Sequence, residues 1–271
     1  MKIVLSRKGF DSASGGCPSF IIGNKLVSLP IPDEHTKLKY SNVEIYNYNI
    51  GKLFEKSGIK PKLNGKEIST CHLDPDIENG LFGQCSTAAQ HLMNNNVEVG
   101  DLLLFFGWFR DFDIKNYKFS KLDIAGKHCI YAYFKIGRIL DLNKSTEKQE
   151  ALKLSATHPH IAYDSNEYNK TNLLYVAAPI LTTNSKIRGC GRLKYSEQTT
   201  LTKPNENKSI WQLPKCFLNT NMTYHTNKNR WSELNNNFCQ LKSACRGQEF
   251  IINENKDIEK WAIELIRNNI D

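Results

Sequence analysis

The chain has 271 residues, 40% hydrophobic and 24% charged, with a formal net charge of +8 and a pI of about 9.0. That composition excludes a disordered or low-complexity chain and supplies a core for one domain spanning 1–271. The basic excess is spread along the chain without a basic tail, so it leans toward a polyanionic partner but marks no surface for it.

An apolar strand, Ile3-Val-Leu5, opens the chain and runs directly into a polar loop that carries Ser6, Arg7, Lys8, Asp11 and Ser12 together with Gly9, Gly15 and Gly16. Glycines permit tight turns, and such a loop can present N–H groups and a guanidinium to an anion; a surface turn between strands is the plainer reading. A second strand is expected over 20–29, closed by Leu29-Pro-Ile-Pro32. A helix over 50–57 is stopped by Gly58. His72-Leu-Asp-Pro-Asp76 then sets one imidazole and two carboxylates within five residues. His72, Asp74 and Asp76 can converge on a ribose hydroxyl or a cation, but Asp-Pro-Asp is also good turn chemistry, and no metal is assigned. Helical spacing of Ala88, Ala89, Leu92 and Met93 predicts a helix from Gln84 to Asn94 with Ser86 as a cap.

Two long β-rich runs, 99–109 and 127–140, predict an antiparallel pair joined by a polar loop at 110–126. The first carries Phe105-Phe-Gly-Trp-Phe-Arg110. A strand glycine marks a bulge or a close approach, and Trp108 and Arg110 at the exit offer a stacking face and a guanidinium to a base or phosphate. A helix follows from 144 to about 156 and ends in His158-Pro-His160, a second imidazole pair. Nothing in the sequence says whether the two histidine segments meet. Strands at 173–178 and 247–252 and a capped amphipathic helix at 257–268 complete the chain. Gln248 and Glu249 open the last strand, where a carboxylate is costly unless partnered and can serve as acid, base or ribose ligand.

The apolar runs are too short to cross a bilayer, and residues 3–5 are too short for a secretory signal, so the expected location is the cytoplasm, away from membranes. The eight cysteines include no Cys-x-x-Cys pair, which argues for reduced, mostly buried thiols. The fold class expected is α+β: a mixed, mostly antiparallel sheet or partly closed barrel with peripheral helices.

Leu5-Ser-Arg-Lys-Gly-Phe-Asp-Ser12 with Gly15-Gly16, His72–Asp76, Gly100-Asp-Leu-Leu-Leu-Phe-Phe-Gly-Trp-Phe-Arg110, Trp211-Gln-Leu-Pro214 and Gly247-Gln-Glu-Phe-Ile-Ile252 occur in this order. Together they resemble the third of the numbered nucleotide modification associated domain families of bacteria and their phages, over nearly the whole chain. The resemblance implies a role in nucleotide or base modification, with a nucleotide or nucleic acid as partner, and names no reaction or cofactor. Val97–Phe106 also resembles the Gly-Asp-strand element of PUA-like barrels, including the ASCH and EVE groups, which often hold a base in an aromatic pocket. Arg7 on the first strand and Gln248-Glu249 on a late one resemble ADP-ribosyltransferases that act on DNA. The expectation is therefore a protein that binds a nucleotide or modified base in a polar-aromatic pocket and acts on it. Asp11, Asp74, Asp76 and Glu249 are the catalytic candidates. Ser6, Arg7, Lys8, Ser12, His72, Trp108, Arg110, His158, His160 and Gln248 are the ligand candidates. A non-catalytic reader of modified nucleic acid, a nucleotide-sequestering protein and an ADP-ribosyltransferase-like enzyme remain alternatives.

Overall fold

The computed structural model describes residues 1–163, 168, 170–183, 185–218 and 220–271. Its centre is a ten-stranded mixed sheet. In chain order the strands are β1 (Ile3–Arg7), β2 (Ser19–Ile22), β3 (Lys25–Val27), β4 (Leu81–Cys85), β5 (Leu102–Asp113), β6 (Lys118–Phe119), β7 (Lys127–Asp141), β8 (Asn172–Ala177), β9 (Cys190–Arg192) and β10 (Glu249–Ile252). The main path runs β4-β8-β7-β5-β1-β10, with β2, β6 and β9 attached to its long strands and β3 paired to β2. β1 and β2 lie parallel to β5. The other pairings are antiparallel, including the expected β5–β7 pair at the centre.

The sheet curls into a half-barrel. Register shifts at Phe105/Phe106 in β5 and Ile136/Arg138 in β7 add local twist to the two longest strands. Side-chain alternation then separates two cores. Ile3, Leu5, Leu104, Phe106, Phe250 and Ile252 pack outward against Trp211, Phe217 and the C-terminal helix. Val4, Leu103, Phe105, Phe134, Tyr175 and Ile251 pack inward with Phe82 of β4. Phe82 stands edge-on to Phe105 at 5.0 Å and stacks on Tyr175 at 5.5 Å, favourable arrangements for aromatic pairs.

Five helices surround the sheet among the described residues: α1 (Ile50–Ser57), α2 (Ser86–Asn94), α3 (Ser145–Leu154), α4 (Pro159–Ala162) and α5 (Lys256–Asn269). Gly58 ends α1 in the left-handed conformation at φ 70°, as its place in the sequence implies. Asn255 caps α5 by accepting from the N–H groups of Asp257 and Ile258, and Ile258, Ala262, Leu265 and Ile266 are buried. The molecule is thus α+β with a curled sheet, as expected. No helix among the described residues is long and apolar enough to cross a membrane. Cys71, Cys129, Cys190 and Cys239 are buried thiols and Cys245 is an exposed one.

Three expectations shift locally. The strand at 20–29 is a hairpin, β2 and β3, turned at Gly23 with φ 60°. The run from 99 enters the sheet only at Leu102, because Gly100 adopts φ 97° and the Asp101 carboxylate accepts the N–H groups of Lys2 and Glu98. Gln84 belongs to β4, and α2 begins at Ser86, whose side chain does not cap it.

Two buried histidines are held neutral in the outer core. His128 Nδ1 accepts from Trp211 Nε1 at 3.0 Å; burial, helped by the Arg7 and Lys208 charges, lowers its pKa to about 3. His225 Nδ1 donates to the Thr223 carbonyl and Nε2 accepts from the Ala244 N–H, and burial lowers it to about 4. The unfolded chain protonates both near their ordinary pKa of about 6.5, before the native protein does, so stability falls as pH falls through that window. Each group contributes a loss of about 1.4 kcal/mol per pH unit there. Urea unfolding should therefore show stability lost between pH 7 and pH 5, about 3–4 kcal/mol of it from these two groups; equal midpoints and slopes at the two pH values would contradict neutral burial.

Candidate functional site

The curl brings the two ends of the main path, β4 and β10, face to face. Glu249 opens β10 with its side chain directed inward and 1% exposed. Lys8 Nζ lies 2.8 Å from its Oε1, and Gln84 Nε2 of β4 donates to the same oxygen. Lys8 also sits 4.9 Å from the centroid of the Phe82 ring. Ser6 is directly opposite Glu249 in the β1–β10 register. Among the described residues, Ser6 Oγ and Glu249 Oε2 are both buried without a hydrogen-bond partner. A buried carboxylate with one oxygen uncommitted costs stability unless something else uses it.

A second polar cluster lies beside β4. The Asp74–Pro75 peptide is cis. The Asp74 side chain is 6% exposed, and its Oδ1 accepts the Gly83 N–H at 2.8 Å. His158 Nε2 is 3.4 Å from Oδ1, and His160 Nε2 is 3.7 Å from Oδ2. Burial pushes the Asp74 carboxyl up, but the neighbouring His158 imidazole, first among the groups that oppose it, helps to leave the group at about 2. Burial holds His160 down at about 3. Gly83 makes this approach possible: a Cβ there would fall 2.2 Å from the His160 ring. His72 and His160 stand edge to face at 5.2 Å, and His72 Nδ1 is 2.9 Å from Asp33 Oδ2. The histidine segments at 72 and 158–160 therefore meet, on either side of Asp74.

β4 joins the two clusters, since consecutive residues, Gly83 and Gln84, bond Asp74 and Glu249. Tyr131 lies between: burial first, then the Asp74 and Glu249 charges, raise its phenol. A cavity of about 20 Å³ bordered by Gly9, Ser28, Asp74, Tyr131 and Arg192 is large enough for about one water. Arg192 also lines a cleft of about 710 Å³, whose other walls include Tyr46, Ile77, Tyr133, Lys186 and Arg188. Glu44, Glu78 and Asp271 line the same cleft and balance its cations; Arg192 is paired to Glu78 at 3.0 Å.

The other sequence-derived candidates are elsewhere or committed to local bonds. Arg7 points outward, opposite to Ser6 and Lys8. Its guanidinium donates to the carbonyls of Ala244 and Cys245 and lies 5.6–5.7 Å from the Phe250 and Phe106 rings. Asp11 accepts the Ala13 and Ser14 N–H groups and shapes the glycine turn, while Ser12 is exposed. Asp76 accepts from Asn79 within a turn. Trp108 Nε1 donates to the Ala125 carbonyl, and Lys208 Nζ covers its ring at 3.4 Å. Arg110 donates to the Ser120 carbonyl beside Phe119. The Gln248 side chain is exposed; its carbonyl accepts the Arg7 N–H. Sequence reasoning missed Gln84, Asp33 and Asn172. The Asn172 side chain fixes His160, with His160 Nδ1 2.7 Å from its Oδ1 and its Nδ2 donating to the His160 carbonyl.

Comparison with known proteins yields one finding. The model of the family described as nucleotide modification associated domain 3 matches residues 2–253, and the chain belongs to that family. No curated protein and no solved structure matches it.

The Lys8–Glu249 pair is a buried ion pair, 11% and 1% exposed. Lys8→Met should cost about 3–5 kcal/mol by leaving the carboxylate without its cation. Lys8→Met combined with Glu249→Gln should recover most of that loss, because a neutral amide can still bond Gln84. Urea denaturation of both variants tests the pair: a double variant no more stable than Lys8→Met alone would remove the buried-charge account.

Proposed function

We propose that this member of the nucleotide modification associated domain 3 family binds a nucleotide or modified base and performs acid–base chemistry on it at the Asp74–Glu249 centre. One observation carries the reading. Two carboxylates distant in sequence are both buried and both bonded by consecutive residues of β4. Each also faces a cationic or imidazole partner: Lys8 for Glu249, and His158 and His160 for Asp74. Packing alone does not call for two such groups, since apolar residues would fill the space at lower cost; paired acids with different partners are how active sites divide acid and base roles.

The cleft of about 710 Å³ supplies room for a nucleotide, and Arg192 borders both the cleft and the cavity beside Asp74. In this reading Lys186 and Arg188 face the phosphate, Tyr46 offers a ring face to the base, and the mixed charge of the lining suits a nucleotide's donors and acceptors better than a long polyanion. Asp74, a carboxylate at neutral pH, accepts the proton at the reacting atom. Glu249, paired with Lys8, serves as acceptor for substrate N–H or O–H groups through its uncommitted oxygen. A non-catalytic reader is the second reading; the spread of basic residues along the chain favours it.

Mass spectrometry of the nucleotide pool and of DNA nucleosides, from cells with and without the protein, separates the two. A changed nucleotide or nucleoside is expected with the native chain and lost with Asp74→Asn or Glu249→Gln at unchanged circular dichroism. No change in any nucleotide or nucleoside, together with salt-dependent binding of polynucleotide, would replace the enzyme with the reader.

A further inference from the structure

The orientation of the two histidines nearest Asp74 is determined by their other partners. Asn172 Nδ2 donates to the His160 carbonyl, which leaves its Oδ1 toward His160 Nδ1, 2.7 Å away. That oxygen only accepts, so Nδ1 carries the proton and Nε2 presents a lone pair. His160 Nε2 is the atom 3.7 Å from Asp74 Oδ2, so two acceptors face each other inside the protein. His72 repeats the arrangement. Its Nδ1 is 2.9 Å from the carboxylate of Asp33, which makes Nδ1 the donor and leaves Nε2 as the acceptor. Asp33 is itself fixed, its Oδ1 accepting the His35 N–H at 2.8 Å.

Buried acceptors facing one another are unfavourable unless a cation or a proton lies between them. One donor atom from each of His72, Asp74 and His160 lies within 4.8 Å of the others. His158 adds an independent sign. Its side chain is fully buried, its Nε2 is 3.4 Å from Asp74 Oδ1, and among the described residues neither ring nitrogen has a hydrogen-bond partner. The surroundings also leave space: Gly83 clears the place that a Cβ would fill beside His160, and the water-sized cavity opens on Asp74.

We propose that His72, Asp74 and His160 bind one divalent first-row transition ion through two imidazole nitrogens and one carboxylate oxygen. This ligand set suits Zn²⁺, Fe²⁺ or Mn²⁺ and leaves coordination positions open. Asp33 and Asn172 are positioning residues: they hold the rings in the tautomer that a metal requires, as partners of metal-bound histidines do. Bonds of about 2.0–2.2 Å place ligand atoms roughly 3–3.5 Å apart, so the cluster contracts by about an ångström when it closes on the ion. The site shares Asp74 with the acid–base reading above and adds an ion to it. Its test uses no nucleotide, so the two stand or fall separately.

The full chain, stripped with chelator, is dialysed to equilibrium against Zn²⁺, and separately against Mn²⁺ and anaerobic Fe²⁺, and the bound metal is counted by elemental analysis. The native chain and Cys245→Ser, which removes the exposed thiol, should each hold one ion. His72→Gln and Asp74→Asn should hold none. Asp33→Asn should bind about 10–100-fold more weakly. Circular dichroism confirms the fold of each variant; the His72 side chain is 15% exposed, so its replacement remains informative if a more buried variant fails to fold. The proposal is overturned if the native chain binds none of the three ions, or if folded His72→Gln retains the ion. The first result would leave a His158–Asp74 ion pair as the role of the cluster, and the second would place the metal on other ligands.

Discussion

The structure depends on a carboxylate closed inside a curled sheet. Glu249 occupies an inward position of β10, where an ionised group without partners would cost several kcal/mol. It is tolerated because the curl carries β4 across the open side, so that Gln84 and Lys8 meet it. The sheet's curvature and the site's electrostatics are therefore one constraint: flattening the sheet separates the carboxylate from its amide partner. The free side of β10 is covered as well. Thr223 donates its N–H to the Ile251 carbonyl and accepts the Ile251 N–H through its hydroxyl, so this strand offers no open edge there.

Alternation along β1 divides the opening motif between two jobs. Ser6 and Lys8 turn inward to Glu249, and Arg7 turns outward to bond the carbonyls at 244–245 just ahead of β10. Arg7 thus anchors from outside the segment that delivers Glu249 to the inside. The period of two in the sequence sets Arg7 apart from Ser6 and Lys8, against the expectation that all three contact one ligand. Asp11 and Asp76 follow the plainer expectation, each satisfying the backbone or side-chain donors of its own turn.

What the sequence made legible was local. The β5–β7 pair, the stop of α1 at Gly58 and the buried stripe of α5 rest on patterns contained within single segments. The meeting of residues 72–74 with 158–160 rests on tertiary placement, because α4 and Asp74 are brought together across the paired strands β4 and β8. The same segment explains why Gln84 reads as helical in the sequence. Gly83 interrupts the strand pattern of Leu81–Cys85, and Ala88, Ala89 and Leu92 follow at helical spacing, so the helix signal extends past the observed start at Ser86. The glycine is present because the His160 ring occupies the space of its Cβ. A residue that weakens a strand signal in the sequence is the one that admits the His160 side chain.

The pattern around Asp74 also separates positioning from stabilisation. A structural histidine beside a carboxylate gains most by donating to it. His160 instead commits its proton to Asn172, and His72 commits its proton to Asp33. Both rings are thereby denied the simplest stabilising bond to Asp74, while burial opposes a second proton on His160. The arrangement forgoes ion-pair energy at a buried acid in order to direct lone pairs into one small volume. Asn172 and Asp33 thereby set the ring orientations around Asp74, although neither is recognisable from its immediate sequence.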